Sequence, residues 1–188
     1  IGRQYSAENS AFFANCEAFH GEACSVFAGP YTVTHHKSTL LIAGLFSFYN
    51  AGSGTNESNH MYKLGPAHEG KLLRGTKTGS FSYLMWPCRV GPFSVVLGKH
   101  NTTFDTGDFP FSHLEARSDG RCAMIPGFHL TTVGTVRDEA KWPRRDRRKG
   151  AAKRDAVSFD VFSPYVIGKM IKARRHLKEL QDTTDRSV

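Results

Sequence analysis

Histidine is the residue type in this chain best suited to proton transfer at neutral pH, and eight of the nine histidines precede residue 130. An imidazole acts as a general base when it lies within hydrogen-bond reach of a nucleophile. Most of these histidines fall in or beside predicted turns. Our candidates for a catalytic base are, in order, His60, His36 and His100. Because His35 and His36 are adjacent on a predicted strand, only one of the two can face a given cleft.

The residues that precede His60 are rich in hydrogen-bonding groups. The candidate substrate-binding residues are Ser53, Thr55, Asn56 and Asn59, which would line a site for a polyol. Side chains of these types also cap their own backbone in turns. A substrate site and a self-capped turn therefore both remain open interpretations.

Positive charge is concentrated near the C-terminal end, where residues 137–178 carry 14 of the 25 Lys and Arg. Such a block attracts phosphates, and forked Arg donors suit them. The candidate phosphate-binding residues are Arg144, Arg145, Arg147, Arg148 and Lys149, with Lys99 and Arg89 as further contributors. The alternative is a solvated loop and helix face. Nucleic-acid binding is disfavoured, because base stacking needs aromatic side chains and Trp142 alone interrupts the basic run.

A period of six residues indicates the elements that must position these groups. Leu84, Val90 and Val96 recur at this spacing, and a small residue stands two places before each of them: Ser82, Cys88 and Ser94. This period fits neither an α-helix nor an ordinary strand. It predicts a three-sided coil whose aliphatic residues point inward, with Gly and Pro at the corners. The first fifty residues repeat it less regularly, and an antiparallel β-sandwich is the alternative fold.

The chain divides into three predicted parts. Residues 1–136 form the coil, with an inserted polar loop at 99–120, and residues 137–162 form a basic linker anchored by Trp142. A C-terminal amphipathic helix follows at 163–182, with Ser163 as its N-cap. Its apolar face is expected to pack on the coil.

The register at 82–98 resembles that of the left-handed β-helix acyltransferases built from hexapeptide repeats. Three further segments resemble a group of large, uncharacterised hexapeptide-repeat proteins of gut Bacteroidetes. They are 48–65 (FYNAGSGTNESNHMYKLG), 141–148 (KWPRRDRR) and 162–170 (FSPYVIGKM). The resemblance implies an all-β fold, a left-handed parallel β-helix with a protruding loop and a C-terminal α-helix. It also implies that the chain is an internal portion of a longer protein.

The wider resemblance suggests an activity. Similar acyltransferases use a histidine as general base on a sugar hydroxyl or amine, which attacks a thioester. The expected partners are then a sugar or nucleotide-sugar and acyl-CoA as co-substrate, with no bound cofactor and a homotrimeric assembly. A related subfamily holds zinc with three histidines, and His36, His60 and His68 would be the set here, although their spacing does not match that pattern. The remaining alternative is a non-catalytic ligand-binding or scaffold segment.

Cysteine usage bears on the cellular compartment. Cys16, Cys24, Cys88 and Cys122 form no C-x-x-C pair, which argues against a zinc knuckle and a disulfide framework. This favours a reducing, cytoplasmic location. The sequence has no membrane-spanning apolar stretch, and no signal peptide is recognised.

Overall fold

Short parallel strands wind into a coil with three flat sides. The computed structural model describes residues 1–60, 63 and 68–183, so the segment 48–65 named above lies partly outside the described residues. Partner residues in most neighbouring strands stand 16 or 18 positions apart, as in Ser6 with Glu22 and Gly21 with Thr39. Each turn therefore uses about three hexapeptides, one for each side. The architecture is the expected left-handed parallel β-helix, with about six turns.

Each side of the coil is a ladder of strands from successive turns. The first sheet contains β1 (Ser6–Glu8), β4 (Gly21–Cys24), β7 (Thr39–Ile42), β9 (Asn56–Glu57), β12 (Tyr83–Leu84) and β15 (Lys99–His100). The second contains β2 (Ala11–Phe12), β5 (Phe27–Ala28), β8 (Gly44–Phe46), β10 (Gly70–Leu72) and β13 (Arg89–Val90). The third contains β3 (Glu17–Ala18), β6 (Val33–Thr34), β11 (Lys77–Thr78), β14 (Val95–Leu97), β16 (His113–Ala116) and β17 (Cys122–Ile125), and Asn50 bridges β6 to β11. β17 is antiparallel to β16.

The six-residue period marks the inside of the coil, as predicted. Leu84, Val90 and Val96 lie on the first, second and third sheets, and each is completely buried in one apolar core. The small residues two places before them are also buried, because the wall is tight as it leaves each corner. This core supplies the main stabilisation of the coil, since each buried aliphatic side chain contributes roughly 1.5–3 kcal/mol.

The insertion between rungs lies at a different place from the one that the sequence predicts. Residues 99–120 were expected to form an inserted loop, but they contain β15 and β16, and Asp105 bridges to Arg89 on the second sheet. The polar residues of this stretch misled the prediction, because a coil carries such residues on its outer surface. Instead, the longer spacing occurs between Asn56 and its strand partner Tyr83, which are 27 positions apart. The additional residues of this turn lie between β9 and β10 in the sequence.

Aromatic side chains stack along the edge between the second and third sheets. This aromatic corner consists of Tyr31, Phe48, Phe93 and Phe111, all buried and all with positive φ between 48° and 60°. Tyr31 stacks on Phe48 with ring centroids 5.0 Å apart, and Phe93 stacks on Phe111 at 5.2 Å. Gly75 takes the corner position between Phe48 and Phe93, where an added Cβ would meet the Phe93 ring at 2.4 Å.

A helix stands where part of the basic linker was expected. Helix α1 (Val133–Arg144) occupies the first residues of the predicted linker 137–162. Its Trp142 is buried against the aromatic corner, 4.6 Å from the Phe48 ring centroid, and its carbonyl accepts a 2.8 Å hydrogen bond from the Tyr31 hydroxyl. The sequence prediction missed the helix because its buried residues are few and largely polar: Thr135, Asp138 and Trp142.

Helix α2 (Pro164–Thr183) agrees closely with the helix predicted at 163–182. It docks on fewer residues than the apolar stripe suggested: Val166, Lys169 and Ala173 are buried, while Leu177 and Leu180 are 40% and 54% exposed. Lys169 is buried because its Nζ forms a 2.8 Å ion pair with Asp108 of the coil. Neither α1 nor α2 is long and apolar enough to cross a bilayer, and the same is true of the rest of the described chain.

Candidate functional site

The outer face of the third sheet forms the floor of a polar cleft. One residue from each of four neighbouring rungs contributes to this floor, in the order Glu17, Val33, Asn50 and Lys77. Neighbours in this order are up to 27 positions apart in the chain. Adjacent rungs are about 4.8 Å apart, so these side chains form one continuous column. Helix α1 and the residues after it lie across this column. We call the space between them the α1 cleft.

Helix α1 contributes both charge signs to the cleft. Asp138 is 5% exposed and forms an ion pair with Lys77 of the floor. Its other oxygen, Oδ1, receives no hydrogen bond within the described part of the chain, although Arg137 and Lys141 lie 3.5 and 3.7 Å away. Burial lowers the pKa of Lys141, and Asp138 partly opposes that change. A buried acceptor without a donor is costly, and a hydroxyl group entering the cleft would satisfy it.

A carboxylate and two imidazoles form a chain at one end of the cleft. Nδ1 of His35 lies 3.4 Å from Oε2 of Glu17, and Nε2 of His35 lies 3.2 Å from Nε2 of His36. A carboxylate beside Nδ1 favours the tautomer with hydrogen on that nitrogen. Nε2 of His35 is then the acceptor and Nε2 of His36 the donor, which leaves Nδ1 of His36 as an unprotonated base. Of the two adjacent histidines, His35 lines the cleft and His36 is exposed at its edge.

The basic residues that follow α1 lie at the same end of the cleft, but their side chains differ in role. Arg147 forms an ion pair with Glu17 at 2.5 Å, and Arg145 lines the cleft. Arg148 is held away from any ligand by a two-pronged contact with Asp146, both bonds measuring 2.9 Å. Hydrogen bonds from Arg148 and then Asn15 hold the pKa of Asp146 far below its usual range. Arg144 and Lys149 are exposed on the surface.

The three histidines proposed as bases occupy separate environments. His100 points into the coil, 2% exposed, where its Nε2 lies 3.1 Å from the carbonyl of Leu97. Burial lowers the pKa of His100, so it is a neutral core residue. His60 is exposed and follows β9. His36 is therefore the member of the set that lies beside a carboxylate–imidazole pair.

The four residues proposed to bind a polyol do not form one surface. Thr55 is completely buried inside the coil, and Asn59 is 1% exposed and exchanges two hydrogen bonds with the backbone of Trp86. Asn56 accepts a hydrogen bond from Ser58, and Ser53 donates to the carbonyl of Lys37. The further cation Arg89 is paired with Asp105, 2.9 Å away. Ser53 thus contacts a neighbouring rung and Asn56 a side chain, whereas Thr55 caps its own turn by donating a 2.8 Å hydrogen bond to the carbonyl of Gly52.

Sequence reasoning missed a polar network inside the coil. Tyr49, Thr55, Glu57 and Thr78 are buried and joined by hydrogen bonds of 2.8–2.9 Å. The six-residue period could have revealed that Glu57 is an interior residue. Glu57 follows Ala51 by six places, and the small residue Thr55 stands two places before it, as at the other interior positions.

No group of three described His, Cys, Asp or Glu side chains is arranged to hold a metal ion. His36, His60 and His68 thus do not assemble into a zinc site in the structure. No curated protein and no solved structure shows a significant match to the chain. One family model does match, over residues 1–181, and it is described as a domain of unknown function, DUF4954. Because this match covers nearly the whole chain, the protein belongs to the DUF4954 family.

Proposed function

We propose that this domain transfers an acyl group from a thioester of the CoA type to a hydroxyl of a phosphate-bearing acceptor such as a nucleotide-sugar. The α1 cleft is the acceptor site, and His36 is the general base. The proposal rests mainly on one observation: the chain Glu17–His35–His36 lies at the same end of the cleft as Arg145 and Arg147. A base and phosphate-binding cations are thereby available to one substrate.

The reaction follows from the order of hydrogen bonds in that chain. Nδ1 of His36 takes the proton of the acceptor hydroxyl as its oxygen attacks the thioester carbonyl. The new C–O bond forms, the C–S bond breaks, and the departing thiolate receives that proton from His36. Glu17 stabilises the positive charge through His35 during the step, as a carboxylate does for a catalytic imidazole.

The other groups of the cleft suit the acceptor. Arg145 and Lys141 supply donors for a phosphate, while Oδ1 of Asp138 and the side chain of Asn50 offer partners for hydroxyls. The enclosed volume is about 40 Å³, which admits one small polar group and not a whole nucleotide. The remainder of the acceptor would extend past Arg147 into solvent.

The decisive experiment measures thiol release from acetyl-CoA in the presence of nucleotide-sugars such as UDP-N-acetylglucosamine. His36→Ala should lower the rate by about a hundredfold or more, the usual contribution of a general base. His20→Ala is the matched control, because His20 is also a corner histidine, partly exposed, and pairs with Gln4 outside the cleft. Equal rates for the two variants would contradict the assignment.

A second candidate is a non-catalytic ligand-binding or scaffold module. Oδ1 of Asp138, which receives no hydrogen bond from the described residues, favours it, since a bound hydroxyl would satisfy that atom whether or not chemistry follows. Calorimetric titration with the same nucleotide-sugars separates the two functions. Binding that Arg145→Ala weakens and Arg144→Ala does not, without any thiol release, would indicate the module.

Two expectations about the whole protein belong to the same proposal. The four cysteines are all free, which suits the reducing conditions of the cytoplasm. A homotrimer is expected by analogy with other β-helix acyltransferases. Sedimentation equilibrium tests the trimer, and localisation of the tagged protein in fractionated cells tests the compartment.

A further inference from the structure

A second concave surface lies between α2 and the last turns of the coil. This α2 groove has a volume of about 310 Å³, at the lower end of the usual ~300–1,000 Å³ range for ligand pockets. Its walls are mostly apolar, and include Phe109, Phe111, Leu130, Met170 and Leu177. Leu177 is 40% exposed although it faces this wall, so the coil covers it only in part.

Two cations lie at the edge of the α2 groove. Arg174 and Lys178 are one turn apart on α2 and both line the groove. No carboxylate of the described chain lies within ion-pair distance of either, whereas Lys169 and Lys172 of the same helix are paired with Asp108 at 2.8 and 3.9 Å. The groove thus offers an apolar trough with uncompensated positive charge at its edge.

We propose that the α2 groove binds a single-chain amphiphile with an anionic head group, such as a fatty acid. The chain lies against Phe109 and Leu177, and the head group accepts hydrogen bonds from Arg174 and Lys178. Charge complementarity argues against a second copy of this chain, because self-association would bring the two cations of each copy together. The volume argues against a partner helix, whose diameter is about 10 Å with its side chains.

The inference does not depend on the acyl-transfer proposal, because the groove and the α1 cleft share no residue. Calorimetric titration of the intact chain with dodecanoate, below its critical micelle concentration, tests it directly. We expect saturable binding of one molecule, and no binding of dodecyltrimethylammonium, which has the same chain and a cationic head.

Matched variants on α2 locate the site. Arg174→Glu should weaken dodecanoate binding by about tenfold or more, since a charged hydrogen bond becomes a repulsion. Arg175→Glu makes the same charge change outside the groove and should stay within about twofold. Leu177→Ser should weaken binding, whereas Ile171→Ser, at an exposed position outside the groove, should not.

Three results would overturn the proposal. The first is no dodecanoate binding at all, and the second is equal weakening by Arg174→Glu and Arg175→Glu, which would reduce the effect to general charge attraction. The third is binding to vesicles of anionic phospholipid without binding of monomeric dodecanoate, which would assign α2 to a membrane surface.

Discussion

The hydroxyl of Tyr49 donates a 2.8 Å hydrogen bond to Oε1 of Glu57, and the coil encloses both side chains completely. Burial raises the pKa of Glu57 from 4.5 to about 8, so the carboxyl is protonated at neutral pH. Its Oε2 has no hydrogen-bond partner among the described residues. A neutral carboxyl tolerates this position far better than a buried charge would.

The stability of the coil should therefore fall as pH rises. The folded state holds the Glu57 proton more tightly than the unfolded state, so its contribution is complete below pH 4.5 and is lost progressively up to about pH 8. The total loss is on the order of 5 kcal/mol, since one pKa unit corresponds to about 1.4 kcal/mol. Urea denaturation between pH 4 and 9 measures this change.

Glu57→Gln isolates this contribution. The amide still accepts the hydrogen bond from Tyr49 but does not titrate, so its free energy of unfolding should vary less between pH 5 and 8 than that of the wild type. Glu22→Gln, at an exposed position of the first sheet, is the control and should keep the wild-type slope. Parallel pH profiles for the wild type and Glu57→Gln would show that Glu57 is ionised in the folded protein.

Trp142→Ala should release α1 from the coil. The indole is 6% exposed against the aromatic corner, and truncation of a buried Trp costs about 3–5 kcal/mol. Hydrogen exchange followed by mass spectrometry should show faster exchange in 133–144, while the strands of the first sheet remain protected. Phe162→Ala provides the comparison, because Phe162 is 53% exposed and its loss should leave α1 protected.

Replacement of Gly70 and of Gly168 by alanine should change the stability of the protein in opposite directions. At Gly70 an added Cβ would lie 2.1 Å from the buried Trp86 ring, so Gly70→Ala should destabilise the coil by about 1–3 kcal/mol. At Gly168, inside α2, an added Cβ meets nothing within 4 Å, and Gly168→Ala should stabilise the helix by up to about 1 kcal/mol. Thermal denaturation of both variants checks the pair, and a shift of the same sign in each would contradict the described packing.

The thiols should differ in their reaction with iodoacetamide at pH 8. Burial raises the pKa of Cys88 to about 12 and that of Cys122 to about 11, and it also raises the pKa of Cys16. The thiolate is the reactive form, so these three should label slowly. We expect Cys24 to be labelled first, as measured by peptide mass spectrometry. Earlier labelling of Cys88 would indicate that the coil opens.

The sequence predicted the fold where its period is regular. Leu84, Val90 and Val96 fell on three successive sides because this turn has few departures from the six-residue repeat. In the first fifty residues the turns alternate between 16 and 18 residues, so simple spacing assigns the wrong inward residue. Phe27, for example, precedes Val33 by six places, yet it is 47% exposed and Ala28 is the buried neighbour.

The candidate site was harder to predict for a physical reason. The α1 cleft joins Glu17, His35 and Arg147, and the last of these comes from a segment that returns across more than a hundred residues to reach the coil. No local spacing encodes that return. His60 ranked first among the candidate bases because polar residues surround it in the chain, but those residues satisfy one another and the backbone.

The single ring of Trp142 lies 4.6 Å from Phe48 and 6.0 Å from Phe93, although the rung of Gly75 stands between those two rings. Helix α1 therefore works as a brace of fixed length across three consecutive rungs. Adding a whole turn between Phe48 and Phe93 would leave every strand paired, yet the indole could no longer reach both of its supports. This part of the coil is thus locked in turn number.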